Sequence, residues 1–188
     1  MVQSNHETIF DRDCSQRPRY LASFSHNSRC SPKAIRRQRA LAASTNAPLV
    51  FFCQNNQWAI SSAVETQTKV PLYRRGEGFG VPGIRVDGND VLACYAVTKK
   101  HMDDARNGLG PYLIEALTYR IGAHTTSDDP SKYRDPEQVA YWQARDPIIR
   151  FEKFLRSQGI GQDFFDEVQA AGDQLAAEIR DQSWVFGR

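Results

Sequence analysis

Two stretches of this sequence place polar side chains where chemistry could be done. The run Gln54-Asn55-Asn56-Gln57-Trp58-Ala59-Ile60 directly follows the apolar segment APLVFFC. If that segment is a buried strand, the asparagines stand at its carboxyl end, where open parallel α/β sheets receive ligands. An asparagine there offers a neutral oxygen. Magnesium prefers octahedral oxygen coordination, often completed by a substrate's phosphates, so a strand-end Asn beside a backbone carbonyl suits a metal-diphosphate. The same asparagines also suit an ordinary turn, and spacing alone does not separate the two. The second stretch is Tyr119-Arg120-Ile121-Gly122-Ala123-His124, which also follows an apolar run. A histidine in the loop after a parallel strand is placed for proton chemistry; the bland alternative is a packing or surface residue. Arg120 could hold phosphate, or tie the loop down through Asp128 or Asp129. The loop from Thr125 to Arg134 carries both signs of charge and has the composition of a segment that orders upon binding.

The elements that must position these residues follow from pattern. APLVFFC is short, continuous and rich in β-formers, and reads as a strand buried on both faces. GIRVDGND gives a second strand, Ile84 to Val86, closed by the turn pair Asp87-Gly88. Asp90 then caps a helix through VLACYAVTKKHMDDARN, with Val91, Cys94, Tyr95, Val97 and Thr98 at helical spacing. Gly108 to Pro111 stops it, and PYLIEALTYRIG is a third buried strand, with Leu113, Ile114, Ala116 and Leu117 as its apolar run. Strand, helix and strand in this order predict a parallel βαβ unit. AHTTSDDPSKYRDPEQ has no apolar period and reads as a loop. Pro136, capped by Asp135, opens a helix to Ala144. Pro147 opens another, with Ile148, Ile149, Phe151, Phe154 and Leu155 on one face. After Gly159-Ile160-Gly161 a last helix runs from Gln162 to Arg180 on Phe164, Phe165, Val168, Ala171, Leu175 and Ile179. The class is therefore α/β, a parallel sheet flanked by helices with a C-terminal helical segment.

Composition sets the limits. The chain has 188 residues, 40% hydrophobic and 11% aromatic, enough for the core of one domain plus a tail. A formal charge of +2 is too small to argue for nucleic acid. No apolar run approaches the ~20 residues that span a bilayer, and the N-terminus has no apolar core like that of a secretory signal. Cys14, Cys30, Cys53 and Cys94 form no CxxC pair and read as free thiols in a reducing cytoplasm, a disulfide pair being the other reading. Residues 1–46 differ from the rest: serine and arginine are frequent and apolar residues show no sustained period. They form an atypical basic segment, expected to be a solvated, poorly ordered tail, with a short helix from Pro32 to Ala43 as an option. A basic arm and an organellar transit segment are the competing readings, the latter weakened by Glu7, Asp11 and Asp13. For nucleic-acid binding, Tyr20 and Phe24 are too few aromatic platforms.

Taken together, FFCQNNQWAIS, GEGFGVPGIRVDGND, LIEALTYRIGAHTTSDDPSKYR and DPIIRFEKFL resemble the alpha subunit of the thiamine-diphosphate-dependent decarboxylating component of branched-chain 2-oxoacid and pyruvate dehydrogenase complexes. The resemblance covers roughly Ala47 to Arg180 and implies a partial thiamine-diphosphate-binding fold in residues 47–188. It implies that Asn56 is a magnesium ligand through its side chain, and that Trp58 stands where a backbone carbonyl ligates the metal. Ile60 matches a residue lining the cofactor, and His124 a catalytic histidine that reaches thiamine diphosphate near the reacting centre. Thr125 stands where animal members carry a regulatory phosphoserine. The loop from Thr125 to Arg134 matches a segment that orders over the cofactor and helps receive a lipoyl domain. The implied cofactors are thiamine diphosphate and Mg2+. The implied partners are a beta subunit in an α2β2 heterotetramer, the lipoyl domain of an acyltransferase and a small 2-oxoacid, with no nucleic acid and no membrane. The Thr-Ser-Asp-Asp tract is closer to the branched-chain enzymes than to the mammalian pyruvate enzymes, but bacterial pyruvate enzymes share it, so the substrate stays open. Location is expected in a bacterial cytoplasm, with the mitochondrial matrix as alternative.

Departures from the family pattern set further expectations. The Gly-Asp/Glu-Gly motif that supplies another metal ligand upstream has no match in Gln16 to Asn46. The first forty-odd residues are therefore expected not to be homologous sequence, as a shifted frame or wrong start would produce. The Ala47 to Cys53 strand is expected to lose a neighbour and to leave an apolar edge that invites aggregation. The alternative function is a non-catalytic remnant or subunit-interaction module without a complete cofactor site.

Overall fold

The computed structural model of the chain describes residues 20–25 and 32–185, with side chains over residues 37–182. In order, its elements are β1 (Tyr20–Ser25), α1 (Pro32–Ser44), β2 (Leu49–Asn55), β3 (Trp58–Ala59), β4 (Ser62–Ala63), α2 (Val64–Gln67), a 3-10 segment Leu72–Phe79, β5 (Gly83–Asp87), α3 (Val91–Arg106), β6 (Tyr112–Leu117), a short 3-10 turn Pro130–Lys132, α4 (Pro136–Gln143), α5 (Pro147–Ser157) and α6 (Gln162–Val185). The chain forms two compact units that divide between Pro147 and Ile148. The first holds the sheet. The second holds α6 and all but the first residue of α5; both helices were expected from their apolar spacing, and α6 runs on past the predicted end at Arg180 to Val185. No helix among the described residues is long and apolar enough to cross a membrane.

The main sheet has strand order β1-β2-β6-β5, and every pairing is parallel. The predicted βαβ unit is β5–α3–β6, with Asp90 capping α3 through the Ala93 N–H. β2 starts and ends later than the sequence suggested: it takes in Gln54 and Asn55, which continue the ladder against Ala116 and Leu117. β6 is shorter than the predicted run and stops at Leu117. The expectation of an exposed edge at Ala47 to Cys53 is corrected: Tyr20–Ser25 pairs with β2 from Tyr20 opposite Leu49 to Ser25 opposite Gln54. The optional helix in the basic segment is present as Pro32–Ser44.

Alternation along parallel strands sends successive side chains to opposite faces, and each face has its own cover. On one face Phe51, Cys53 and Leu113 pack with Ala42 of α1 and with Leu72 and Val81. On the other, Val50, Val86, Ile114 and Ala116 pack with Ala93, Val97, Met102 and Ala105 of α3. Fully buried side chains such as Leu113 and Ile114 contribute about 1.5–3 kcal/mol each through burial. Glycines permit two close approaches. A Cβ on Gly83 would collide with the Tyr73 carbonyl, and one on Gly88 would meet the Leu117 carbonyl at 2.8 Å.

One charged residue sits inside this core. Glu115, on the α1 side of β6, is 0% exposed. Its Oε1 accepts from Asn55 Nδ2 at 2.6 Å and Arg85 Nη2 at 3.0 Å. Its Oε2 accepts from Arg85 Nε at 3.2 Å and from the Tyr73 backbone N–H at 3.0 Å. Arg85 lies directly opposite Glu115 in the β5–β6 register, so the two-point fork is a cross-strand pair. Beside it, burial pushes the Cys53 thiol up to about 12, with the Glu115 charge adding to the effect. Cys53 and Cys94 are both free thiols; Cys14 and Cys30 lie outside the described residues. Because removing one member of a buried pair strands the other charge, Arg85→Met should destabilise the fold by about 3–5 kcal/mol, toward the lower end since Arg85 is itself part-exposed. Urea unfolding measures this. A loss under about 1 kcal/mol would mean that the carboxylate does not depend on its fork.

Candidate functional site

The sheet delivers both candidate stretches to its carboxyl end. β2 and β6 are direct neighbours, so the turn after Asn55 and the loop after Leu117 leave side by side. Strand alternation splits the paired asparagines. Asn55 is buried, donates to Glu115 and accepts the Gln57 N–H on its Oδ1 at 3.0 Å. It anchors the strand end. Asn56 is left for the site: its Oδ1 accepts the Trp58 N–H at 3.1 Å, which leaves that oxygen a second lone pair. The Asn56 carbonyl accepts the Arg120 N–H at 3.1 Å, and the Asn55 carbonyl accepts the Thr118 N–H at 2.9 Å.

His124 is tied into the same region through Arg120. Arg120 Nη1 lies 3.0 Å from His124 Nδ1. A guanidinium only donates, so Nδ1 accepts and Nε2 carries the ring proton. The anticipated pairing of Arg120 with Asp128 or Asp129 is corrected: Arg120 turns to the imidazole instead. Asp128 Oδ2 accepts the His124 N–H at 2.8 Å and the Tyr133 hydroxyl at 2.7 Å. Asp129 caps the turn Pro130–Lys132. Those bonds hold the Asp128 carboxyl below its ordinary range, the His124 amide first and the Tyr133 hydroxyl second. Thr125 is exposed, its hydroxyl 3.2 Å from that of Ser127.

Trp58 opens a two-stranded antiparallel hairpin with Ser62–Ala63 and is itself buried. Its ring lies 5.4 Å from Tyr133 and 6.4 Å, edge-on, from Tyr119. The Arg134 guanidinium sits among the three rings, 5.5–5.8 Å from their centroids. Arg134 is 5% exposed and donates from Nη1 to the Ile121 and Gly122 carbonyls. The base of the His124 loop and the hairpin therefore pack on one cation–aromatic cluster. Ile60 stands at the hairpin tip, 52% exposed, with φ of 58°. A β-branched residue in that left-handed region is strained, and such strain concentrates at functional sites.

The structure thus brings Asn56 and Trp58 into one turn and links His124 to that turn through Arg120, while Ile60 projects from the adjacent hairpin. Among the described residues no cluster of three or more His, Cys, Asp or Glu side chains could hold a metal. The oxygens on offer are neutral, from Asn56 and from the backbone. Sequence reading gave no individual role to Glu115, Gln57 or Arg134. Glu115 had a signal, a lone carboxylate inside the apolar run LIEAL. Gln57 and Arg134 had none, since their roles depend on partners distant in sequence.

A parallel α/β fold with a neutral oxygen donor and a histidine loop at adjoining strand ends defines a ligand-binding domain of the sheet-end type. The family model described as "Dehydrogenase E1 component" matches residues 38–184, and the chain belongs to that family. It is 51% identical over 142 residues to 3-methyl-2-oxobutanoate dehydrogenase subunit alpha of Mycobacterium tuberculosis, covering 74% of this chain and 39% of the relative. It is 48% identical over 142 residues to pyruvate dehydrogenase E1 component subunit alpha of Acholeplasma laidlawii, covering 74% and 41%. The Staphylococcus aureus protein of the same name is 46% identical over 121 residues, covering 63% and 33%. The chain spans about two-fifths of the length of the first two relatives.

The depressed pKa of Asp128 fixes a pH dependence. A carboxyl whose folded pKa is depressed stabilises the loop at pH values above its unfolded value of about 3.9, and that contribution is lost as pH falls through the folded value. Exchange protection of the His124 amide should therefore hold from neutral pH down to about 4 and collapse below it. Asp128→Asn should lower that protection at neutral pH about tenfold. Equal protection in the variant and the parent at pH 7 would remove Asp128 from the account.

Proposed function

We propose that this chain carries part of the cofactor site of a 2-oxoacid dehydrogenase alpha subunit, and that it acts with a beta subunit in an α2β2 assembly. Asn56, through its side-chain oxygen, and Trp58, through its carbonyl, would hold Mg2+ on the diphosphate of thiamine diphosphate. Ile60 would line the cofactor, and His124 would present Nε2–H near the reacting centre as the catalytic histidine. The observation that carries this reading is the bond from the Arg120 N–H to the Asn56 carbonyl together with the Arg120–His124 contact. One residue thereby ties the candidate metal ligand to the candidate catalytic loop.

The donor chemistry fits the group in kind. Neutral oxygens suit a hard cation completed by the phosphates, and the carboxylate that such a site ordinarily adds is the one ligand missing among the described residues. Thiamine diphosphate, when bound, supplies the carbanion and electron sink for decarboxylation. The chain's own residues would anchor, orient and shield it from water. The acyl group would pass to a lipoyl domain received by the loop from Thr125 to Arg134. The substrate is a branched-chain 2-oxoacid or pyruvate; the relatives' names divide between the two. The bacterial sources of these relatives favour a cytoplasmic location.

A second reading is favoured by one observation: among the described residues the metal site has a single side-chain oxygen and no acidic cluster. On that reading the chain is a subunit-interaction module without tight cofactor binding. Calorimetry with thiamine diphosphate and Mg2+, with and without a cognate beta subunit, separates the two. Micromolar binding by the chain, or binding and turnover of a 2-oxoacid once beta is added, is the expected result. Neither binding nor turnover with beta present would leave the interaction module standing and remove the enzyme reading.

A further inference from the structure

We propose that Gln57 is a positioning residue, whose side-chain amide makes the ladder bond that its own main chain gives up and so fixes Asn56 against the loop that carries His124. The inference rests on the reading of Asn56 and His124 given above, and its test separates the two.

In parallel strands one residue uses its N–H and C=O on residues two apart in its neighbour. Thr118 begins that pattern by donating to the Asn55 carbonyl at 2.9 Å. Its own carbonyl would then receive the N–H of Gln57. That N–H is already spent, however, on Asn55 Oδ1 at 3.0 Å, because the chain turns there with a Gln57 φ of 66°. The side chain replaces it: Gln57 Nε2 donates to the Thr118 carbonyl at 2.8 Å. Without this bond the part-buried Thr118 carbonyl keeps a partner only if the turn opens to admit water, so the cost falls on the local clamp rather than on the fold.

The backbone conformation sharpens the point. The left-handed region is unfavourable for a residue with a Cβ and free for glycine. Glycine would relieve the strain here but could not reach Thr118. The strain is offset by what surrounds it. The Gln57 carbonyl accepts the Val64 N–H at 2.9 Å, which closes the hairpin. Asn56, one residue earlier, is held at its side chain by Trp58 and at its carbonyl by Arg120. Gln57 thus sits at the crossing of the bonds that join the end of β2, the hairpin and the exit of β6. Loss of the amide lets the turn slide relative to Arg120, and with it relative to His124.

Three substitutions test this in the full chain. Gln57→Met keeps the length without a donor, Gln57→Gly removes the strain without a donor, and Gln57→Lys keeps a donor. Amide exchange at Arg120 reads the clamp, with Val50 and Ile114 as controls for global folding. Binding of Mn2+–thiamine diphosphate, followed by water proton relaxation, reads the position of Asn56. We expect the Met and Gly variants to raise exchange at Arg120 about tenfold while the controls keep parent protection, and the Lys variant to restore it. Mn2+–thiamine diphosphate affinity should fall about fivefold in the Met variant at unchanged Tm. Exchange at Arg120 within about twofold of the parent in the Met variant would overturn the clamp. Loosened Arg120 with unchanged Mn2+ affinity would overturn the positioning role. A parent chain that binds no Mn2+–thiamine diphosphate, in which the Met variant still loosens Arg120, supports the clamp and counts against the metal-site reading.

Discussion

The buried carboxylate of Glu115 is the constraint from which the rest of the arrangement follows. A charge taken out of water in the middle of a parallel sheet is tolerated only when its lone pairs are met. Glu115 meets that demand from three directions: Arg85 on β5, Asn55 on β2, and the Tyr73 N–H of the segment that covers this face. Each partner is thereby fixed in register. A slip of either neighbouring strand by one residue would move Arg85 or Asn55 to the opposite face and leave the carboxylate unmet. The apolar faces supply most of the stability, but burial is non-directional; the carboxylate supplies the register.

Register at the strand ends is what a site at the end of a sheet requires. With Asn55 held by Glu115, the next residue emerges at a fixed place, and the main-chain bond from Arg120 brings the following loop beside it. The remaining contacts stiffen that arrangement. Asp128 receives the amide of His124 and the hydroxyl of Tyr133, and Arg134 fills an aromatic cluster while bonding two carbonyls at the base of the loop. Two left-handed residues, Gln57 and Ile60, lie between these supports. Backbone strain persists only where its surroundings over-determine it, and here the surroundings are the ends of two strands and a hairpin.

Much of this was legible in the sequence, and the boundary of legibility has physical causes. Runs such as LVFFC and the Asp90 and Asp135 caps declared themselves, because their signals are local and periodic. The hairpin Trp58–Ala63 and the segment Leu72–Phe79 did not, because neither has a repeating apolar pattern. The pairing of Tyr20–Ser25 with β2 was missed for a different reason. YLASFS is a short run, broken by serines in a basic, serine-rich surrounding, and its partner lies beyond an intervening helix. Asn56 and His124 were singled out by position after strands; the contact of Arg120 with His124 was not foreseen, since phosphate, Asp128 and Asp129 were the partners its spacing suggested. Glu115 was visible as an oddity in LIEAL, but its meaning needed Arg85 and Asn55, neither of which is near it in the chain.

The proposed site requires the side chains of Asn56 and His124 to face one cleft that receives a metal-bound diphosphate. Titrating the chain with Mn2+–thiamine diphosphate while following side-chain proton signals tests it directly. With one shared cleft, the His124 ring and the Asn56 amide should broaden together, while His101, packed on Tyr112 at the opposite end of β6, stays sharp. Broadening of one of the pair without the other, or equal broadening of His101, would contradict it.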